Sequence, residues 1–218
     1  MQTGFLQEAL QFSERSLALN PNHMFAGLVN DYIRYSIDND AVKTRDRILA
    51  RWKKDTMRFD ILHEVGKVNT IIGDFKAATE CYDRSQAMMK RFGLDVFKHE
   101  YLRIGMAYAK VGQMEKSKAY LEAYKDFADQ NQTMYKDLFL ASYYNYFGDA
   151  EKAATHLKRF VKEQKNYPYW LLFMDTDPTS SSMTKNAACN AALKEIKRKF
   201  WEEHEALKDK YIEELEEL

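Results

Sequence analysis

Residues 98–131 read KHEYLRIGMAYAKVGQMEKSKAYLEAYKDFADQN. Apolar residues recur here at spacings of three and four, the period of one helix face, and no proline interrupts the run. Gly112 divides it. Gly105 stands seven residues before that break and Ser117 five residues after it, so each half carries a small side chain where two helices must approach. The stretch reads as two helices joined by a tight turn, with Tyr101, Ile104, Tyr108 and Leu121 as its bulky apolar set.

The arrangement repeats on both sides. Gly4, Gly73, Gly112 and Gly148 each precede a small residue by five places: Ala9, Ala78, Ser117 and Ala153. Asn39 holds the same place before Thr44, and asparagine is the best replacement for glycine in the left-handed conformation that ends a helix. The intervals between these turns are 35, 34, 39 and 36 residues. Gly66, like Gly105, lies seven residues before its turn. A period near 34 is the mark of a helix-turn-helix array. No proline occurs between Pro21 and Pro168, and the alternating pattern of strands is missing.

These units resemble tetratricopeptide repeats, which carry a small residue at position 8, an aromatic at 11, a small residue at 20, a bulky one at 24 and often proline at 32. Residues 98–131 fit best. Residues 59–92 supply Leu62, Val65, Gly66, Gly73, Ala78 and Tyr82, with Asn69 where the aromatic is expected. Residues 134–167 supply Leu140, Ala141, Tyr144, Gly148, Ala153 and Leu157. Residues 25–58 diverge: Leu28, Tyr35, Asn39, Thr44 and Ile48 fit, but Tyr32 stands where a small residue is expected. Residues 1–23 hold only the second half of a unit, with Gly4, Ala9, Ser16 and Pro21. The resemblance implies an all-α, right-handed solenoid of antiparallel helix pairs in which each unit buries its apolar face on the next. A second helix without its first leaves such a face open, so the expectation is that this chain is the C-terminal part of a longer protein.

Residues 168–218 leave the period. Tyr169–Met174 reads as a short helix and Asp175–Thr184 as a loop. A long amphipathic helix then runs from about Asn186 to Glu217, with Leu193, Ile196, Phe200, Leu207, Tyr211, Leu215 and Leu218 on one face and His204 filling the gap. Lys185–Lys199 contains five basic residues and one acidic, net +4, whereas Glu202–Leu218 contains eight acidic and two basic, net −6. That order opposes the helix dipole, so packing must hold this helix. It reads as a cap on the array, with a dimer or partner contact as the sharper alternative. Asp177, Pro178 and Phe200 resemble a segment that follows such arrays in bacterial transcription regulators and nucleotide cyclases, departing from it at Ser180–Ser182.

Composition narrows the function. Apolar residues make up 45% and charged residues 30%, enough for a core and a solvated surface. Lys plus Arg equals Asp plus Glu at 33 each, which gives no basic excess for phosphate. Cys81 and Cys189 form no metal-binding spacing, and no signal peptide or membrane-length apolar run is visible. The expectation is a cytoplasmic chain with reduced thiols, no cofactor, no membrane contact and no nucleic-acid contact by this segment.

No catalytic motif stands out. His63-Glu64, His99-Glu100 and His204-Glu205 lack the second histidine of a zinc-protease helix, and Asp175-Thr176-Asp177 lacks the glycine and glutamate of a calcium loop. The resemblance instead implies a concave groove lined by first helices. Its positions fall on Asn30, Ile33, His63, Glu64, Lys67, Thr70, His99, Arg103, Met106, Lys110, Tyr135, Phe139, Asn145 and Tyr146. Arg103 and Lys67 suit a carboxylate, and Tyr135 and Phe139 suit a bulky apolar side chain. The clamp that holds chaperone tails does not fit, because Val29, Ile33 and Glu64 occupy required places. The expected function is a non-enzymatic scaffold that binds a protein or peptide, with an acidic, apolar-bearing peptide as the favoured partner. The alternative is the regulatory segment of a larger bacterial signalling protein.

Overall fold

A helix must stop before the chain can turn, and three turns here use one two-residue device. Asn39 (φ 52°), Gly73 (φ 91°) and Gly148 (φ 79°) adopt the left-handed backbone that breaks a helix. The next residue is each time an aspartate. Asp40, Asp74 and Asp149 accept backbone N–H bonds from Lys43 (2.9 Å), Ala77 (3.1 Å) and Lys152 (3.1 Å), and so start the following helix. Such caps are worth about 1 kcal/mol each.

The computed structural model describes residues 1–164 and 166–216, and among them every element is helical. The helices are α1 (Leu6–Leu19), α2 (Met24–Asp38), α3 (Ala41–Trp52), α4 (Phe59–Ile72), α5 (Phe75–Arg91), α6 (Tyr101–Lys110), α7 (Met114–Gln130), α8 (Lys136–Tyr146), α9 (Ala150–Glu163) and α10 (Ala187–Glu216). Short 3-10 turns occupy Lys98–Glu100, Tyr169–Phe173 and Ser181–Lys185. This is the helix-pair architecture of an α-solenoid. The chain divides into two compact units. The first holds Met1, Phe5–Phe97 and Arg103–Ser117; the second holds Gln2–Gly4, Lys98–Leu102 and the chain from Lys118 onward.

In the first unit, α1 packs on α2 through the buried pair Asn30 Nδ2 to Ser13 Oγ at 2.9 Å. Ile48 and Trp52 of α3 meet Ile61, Leu62, Val65 and Val68 of α4 in one core cluster. Helices α4 and α5 touch at Gly66, where an added Cβ would lie 2.7 Å from the Tyr82 ring. The Tyr82 hydroxyl also hydrogen-bonds Thr70 Oγ1 at 3.1 Å, fixing the ring over the glycine. Asp83 of α5 accepts bonds from Tyr108 of α6 (2.8 Å) and Lys116 of α7 (2.7 Å).

One ion cluster was not expected from the sequence. Asp31, 1% exposed, is bound by Arg51 and lies 3.5 Å from Arg47 Nε. Both arginines come from α3, so a buried carboxylate on α2 has two cations facing it, as burial of charge requires. The Arg51 guanidinium lies where a Gly27 side chain would be: a Cβ there would come within 2.2 Å of its Nη1. Tyr32, too large for the repeat pattern, packs against the α3–α4 core cluster and directs its hydroxyl to Glu64 of α4.

In the second unit, Leu102, Leu121 and Tyr124 form a core against Phe127, Phe139, Tyr143 and Tyr146. Helix α10 covers α9. Leu193, Ile196 and Phe200 are at most 4% exposed, and the Lys199 ammonium donates to the Val161 carbonyl (3.0 Å) near the end of α9. The apolar stripe of α10 from Leu193 to Phe200 is thus buried within its own unit, and this stretch offers no apolar face to a second copy. His204 bonds the Thr3 carbonyl at 2.8 Å, and the Tyr169 N–H donates to the Gln2 carbonyl at 2.9 Å. The expected short helix at Tyr169–Met174 is a 3-10 turn, because Pro168 and the Tyr169–Phe200 ring contact (5.7 Å) hold it tight against α10. The expected stripe residue Leu218 lies outside the described residues, as does the Leu215 side chain.

Candidate interaction surfaces

The first-helix face of the first unit centres on α4. Its Glu64 accepts from the Tyr32 hydroxyl and lies 3.7 Å from Lys67 Nζ, which also sits 5.7 Å from the Tyr32 ring centroid. Lys67 is therefore half-buried and shares its charge with a neighbour.

His63 is not an open groove residue. It is fully buried, in contact with the Tyr82 ring (5.4 Å) and stacked on Phe97 at 4.2 Å with 17° between the planes. Phe97 also meets Phe59 edge-on at 6.4 Å. Phe97 reaches this place with φ 65°, a region that a bulky side chain enters only at a cost of about 1–3 kcal/mol. Nothing in the sequence reading singled it out. A positive φ at phenylalanine has no sequence signal.

Arg103 also differs from expectation. It is 8% exposed, and Met106 is 5% exposed. Every residue from Leu102 to Tyr108 is buried, so α6 has no solvent-facing stripe over those turns and the groove positions carried over from the repeat pattern turn inward. Asn30 (4%), Ile33 (1%) and Thr70 (0%) are likewise buried. Lys110, at the last turn of α6, is exposed. His99 lies in the 3-10 turn ahead of α6 with its side chain 52% exposed.

In the second unit the aromatic candidates come from α8. Phe139 packs on Phe127 (5.2 Å) and Tyr124 (6.3 Å), and the Tyr124 hydroxyl donates to its carbonyl. Phe139 is thus partly core. Tyr135 meets Phe139, Phe160 and the exposed Trp170 (5.9 Å). It also lines a cavity of about 210 Å³ with Tyr167, Phe200 and His204. Tyr146 is half-buried beside the exposed Phe147 at 5.2 Å, and burial pushes its phenol upward, which keeps it neutral. Asn145 is engaged: its amide donates to Ser182 Oγ at 2.8 Å.

The thiols are ordinary. Cys81 is pushed up to about 11 by burial, and Cys189 is raised by the same cause. Among the described residues no group of three His, Cys, Asp or Glu is placed to hold a metal, and no helix is long and apolar enough to cross a membrane.

Comparison with known proteins completes the picture. Residues 101–131 match the family model of the tetratricopeptide repeat. The chain carries a tetratricopeptide repeat. It coincides with α6, α7 and the turn at Gly112, the stretch whose spacing is most regular. A search of curated proteins gives no match. Among solved structures, the chain is similar to one in the APC/C hetero-tetramer Cut9-Hcn1, with a TM-score of 0.55 and 16% identity over 89% of this chain and 36% of that one. That likeness is one of fold. A second similar structure is MamA, with a TM-score of 0.44 and 18% identity over 73% of this chain and 88% of that one.

Proposed function

We propose that this tetratricopeptide-repeat chain is a non-enzymatic protein-interaction module that recognises a peptide segment bearing a bulky apolar side chain. The observation that carries the reading is the repeat at 101–131 within an all-helical chain whose other helix pairs leave polar and aromatic first-helix side chains half-exposed. Those side chains are Glu64 and Lys67 in the first unit and Tyr135 and Tyr146 in the second.

An acidic preference rests on fewer charges than the sequence reading gave it. Arg103 is buried, so Lys67 and the exposed Lys110 carry it. A ligand carboxylate at Lys67 competes with Glu64, 3.7 Å from the ammonium. The test is a peptide array probed with wild type, Lys67→Glu and Tyr146→Ala, each first shown to melt like wild type. Loss of acidic ligands in the first variant and of aromatic ligands in the second is the expected result. An identical peptide profile for all three proteins would place recognition elsewhere.

A further inference from the structure

We propose that the α4 face at His63 is a seat for a partner's aromatic side chain, and that Phe97 occupies it in the free protein. The inference rests on the peptide-binding reading above and sharpens it to one residue class. Three observations meet at this point, all within the first unit. His63 stands where the repeat resemblance expects a groove residue, yet its ring is fully buried, between the Tyr82 ring and a loop residue stacked on it. The covering group is a phenyl ring stacked at 4.2 Å and 17°, with Phe59 at its edge. The backbone that delivers it has φ 65°, where phenylalanine is strained.

The occupant defines the chemistry of the seat. A flat apolar ring fits between His63 and Phe59, so a phenylalanine, tyrosine or tryptophan from a partner makes the same stack without the strain. The loop is suited to leave. Phe92, Leu94 and Val96 beside Phe97 are 55%, 42% and 39% exposed, so little burial ties this segment down. A residue that served only to complete the core would be expected at an unstrained φ. Because the competent seat is populated only when Phe97 is out, the free chain binds more weakly than its intrinsic affinity by the closed-to-open ratio.

The probes are a capped Ser-Gly-Phe-Gly-Ser peptide and its alanine-centred twin, titrated into the full chain with His63 ring and α4 amide signals followed by NMR. Phe97→Gly removes both ring and strain, whereas Phe97→Ala removes the ring but keeps the backbone penalty. The expected result is binding of the phenylalanine peptide to Phe97→Gly at least about tenfold tighter than to wild type. The alanine twin should gain nothing, and adding His63→Ala should abolish the gain. In wild type, which needs no variant to fold, excess phenylalanine peptide should erase the Phe97–His63 ring contact. The proposal is overturned if that contact survives saturation or if shifts map away from α4. It is also overturned if Phe97→Gly, folded by circular dichroism, binds no better than wild type. Peptide-array binding sensitive to Lys67 and Tyr146 would survive such a failure, which separates the seat from the broader reading.

Discussion

Gly66 has no side chain because the Tyr82 ring fills the space where one would be. The Cβ of an alanine would lie 2.7 Å from Tyr82 Cε1 and 2.9 Å from Cδ1. The ring cannot retreat: it is fully buried, and its hydroxyl is bonded to Thr70. Gly66→Ala should therefore destabilise the first unit by about 1–3 kcal/mol through overpacking. Urea unfolding measures this, and a shift below about 0.5 kcal/mol would mean that α4 and α5 separate freely. Cys81, on the same helix as Tyr82, offers a second residue-level test. With its thiol pushed up to about 11, only about one molecule in a thousand carries the thiolate at pH 8, far fewer than for a free cysteine. Disulfide reagents should label it slowly in the native chain and rapidly in urea. Native labelling as fast as a model peptide would contradict its burial.

At the scale of elements, the α2–α3 contact depends on charge as much as on apolar packing. Asp31 is buried, and Arg47 and Arg51 face it from α3. Replacing Asp31 by asparagine removes the anion and leaves two partly buried cations without it, which should cost about 1.5–3 kcal/mol. Gly27→Ala should act on the same contact from the other side, since its Cβ would collide with the Arg51 guanidinium. The two substitutions therefore share a mechanism, and the double variant should lose less stability than the sum of the singles. Strict additivity in a thermal-melt cycle would show that Arg51 relocates without losing Asp31. The sequence announced the turn elements well, because a left-handed residue followed by a capping aspartate has local causes: Asn39-Asp40, Gly73-Asp74 and Gly148-Asp149 need only their own neighbours. Groove exposure was less legible for the opposite reason. Whether Arg103 faces solvent depends on how many helices pack around α6, and whether His63 is open depends on the path of a loop more than thirty residues further on. Neither fact is written in the spacing of a single repeat.

At the scale of the whole molecule, the aromatic and aliphatic residues after Pro168 complete the second unit instead of trailing from it. Cys189, Leu193, Ile196 and Phe200 of α10 are buried at 1%, 4%, 0% and 2% exposure. The helix has a charge order that disfavours it in isolation, so its formation and the burial of α9 support each other. A chain ending at Asn186 loses that cover, together with the Lys199 bond to the Val161 carbonyl at the end of α9. Its α9 amides should exchange with deuterium much faster than in the full chain, and it should bind a hydrophobic dye. The milder variant Phe200→Ala leaves the helix in place but opens a cavity beside Tyr169 and Gly4. That change should cost about 3–5 kcal/mol and raise α9 exchange by a smaller amount. The comparison separates two roles for α10. If α9 keeps its protection in both variants, the last repeat is self-sufficient and α10 only rests on it. If protection falls in the order full chain, Phe200→Ala, truncation, then α9 holds its structure through the apolar stripe of α10, as expected where one helix pair cannot bury its own face.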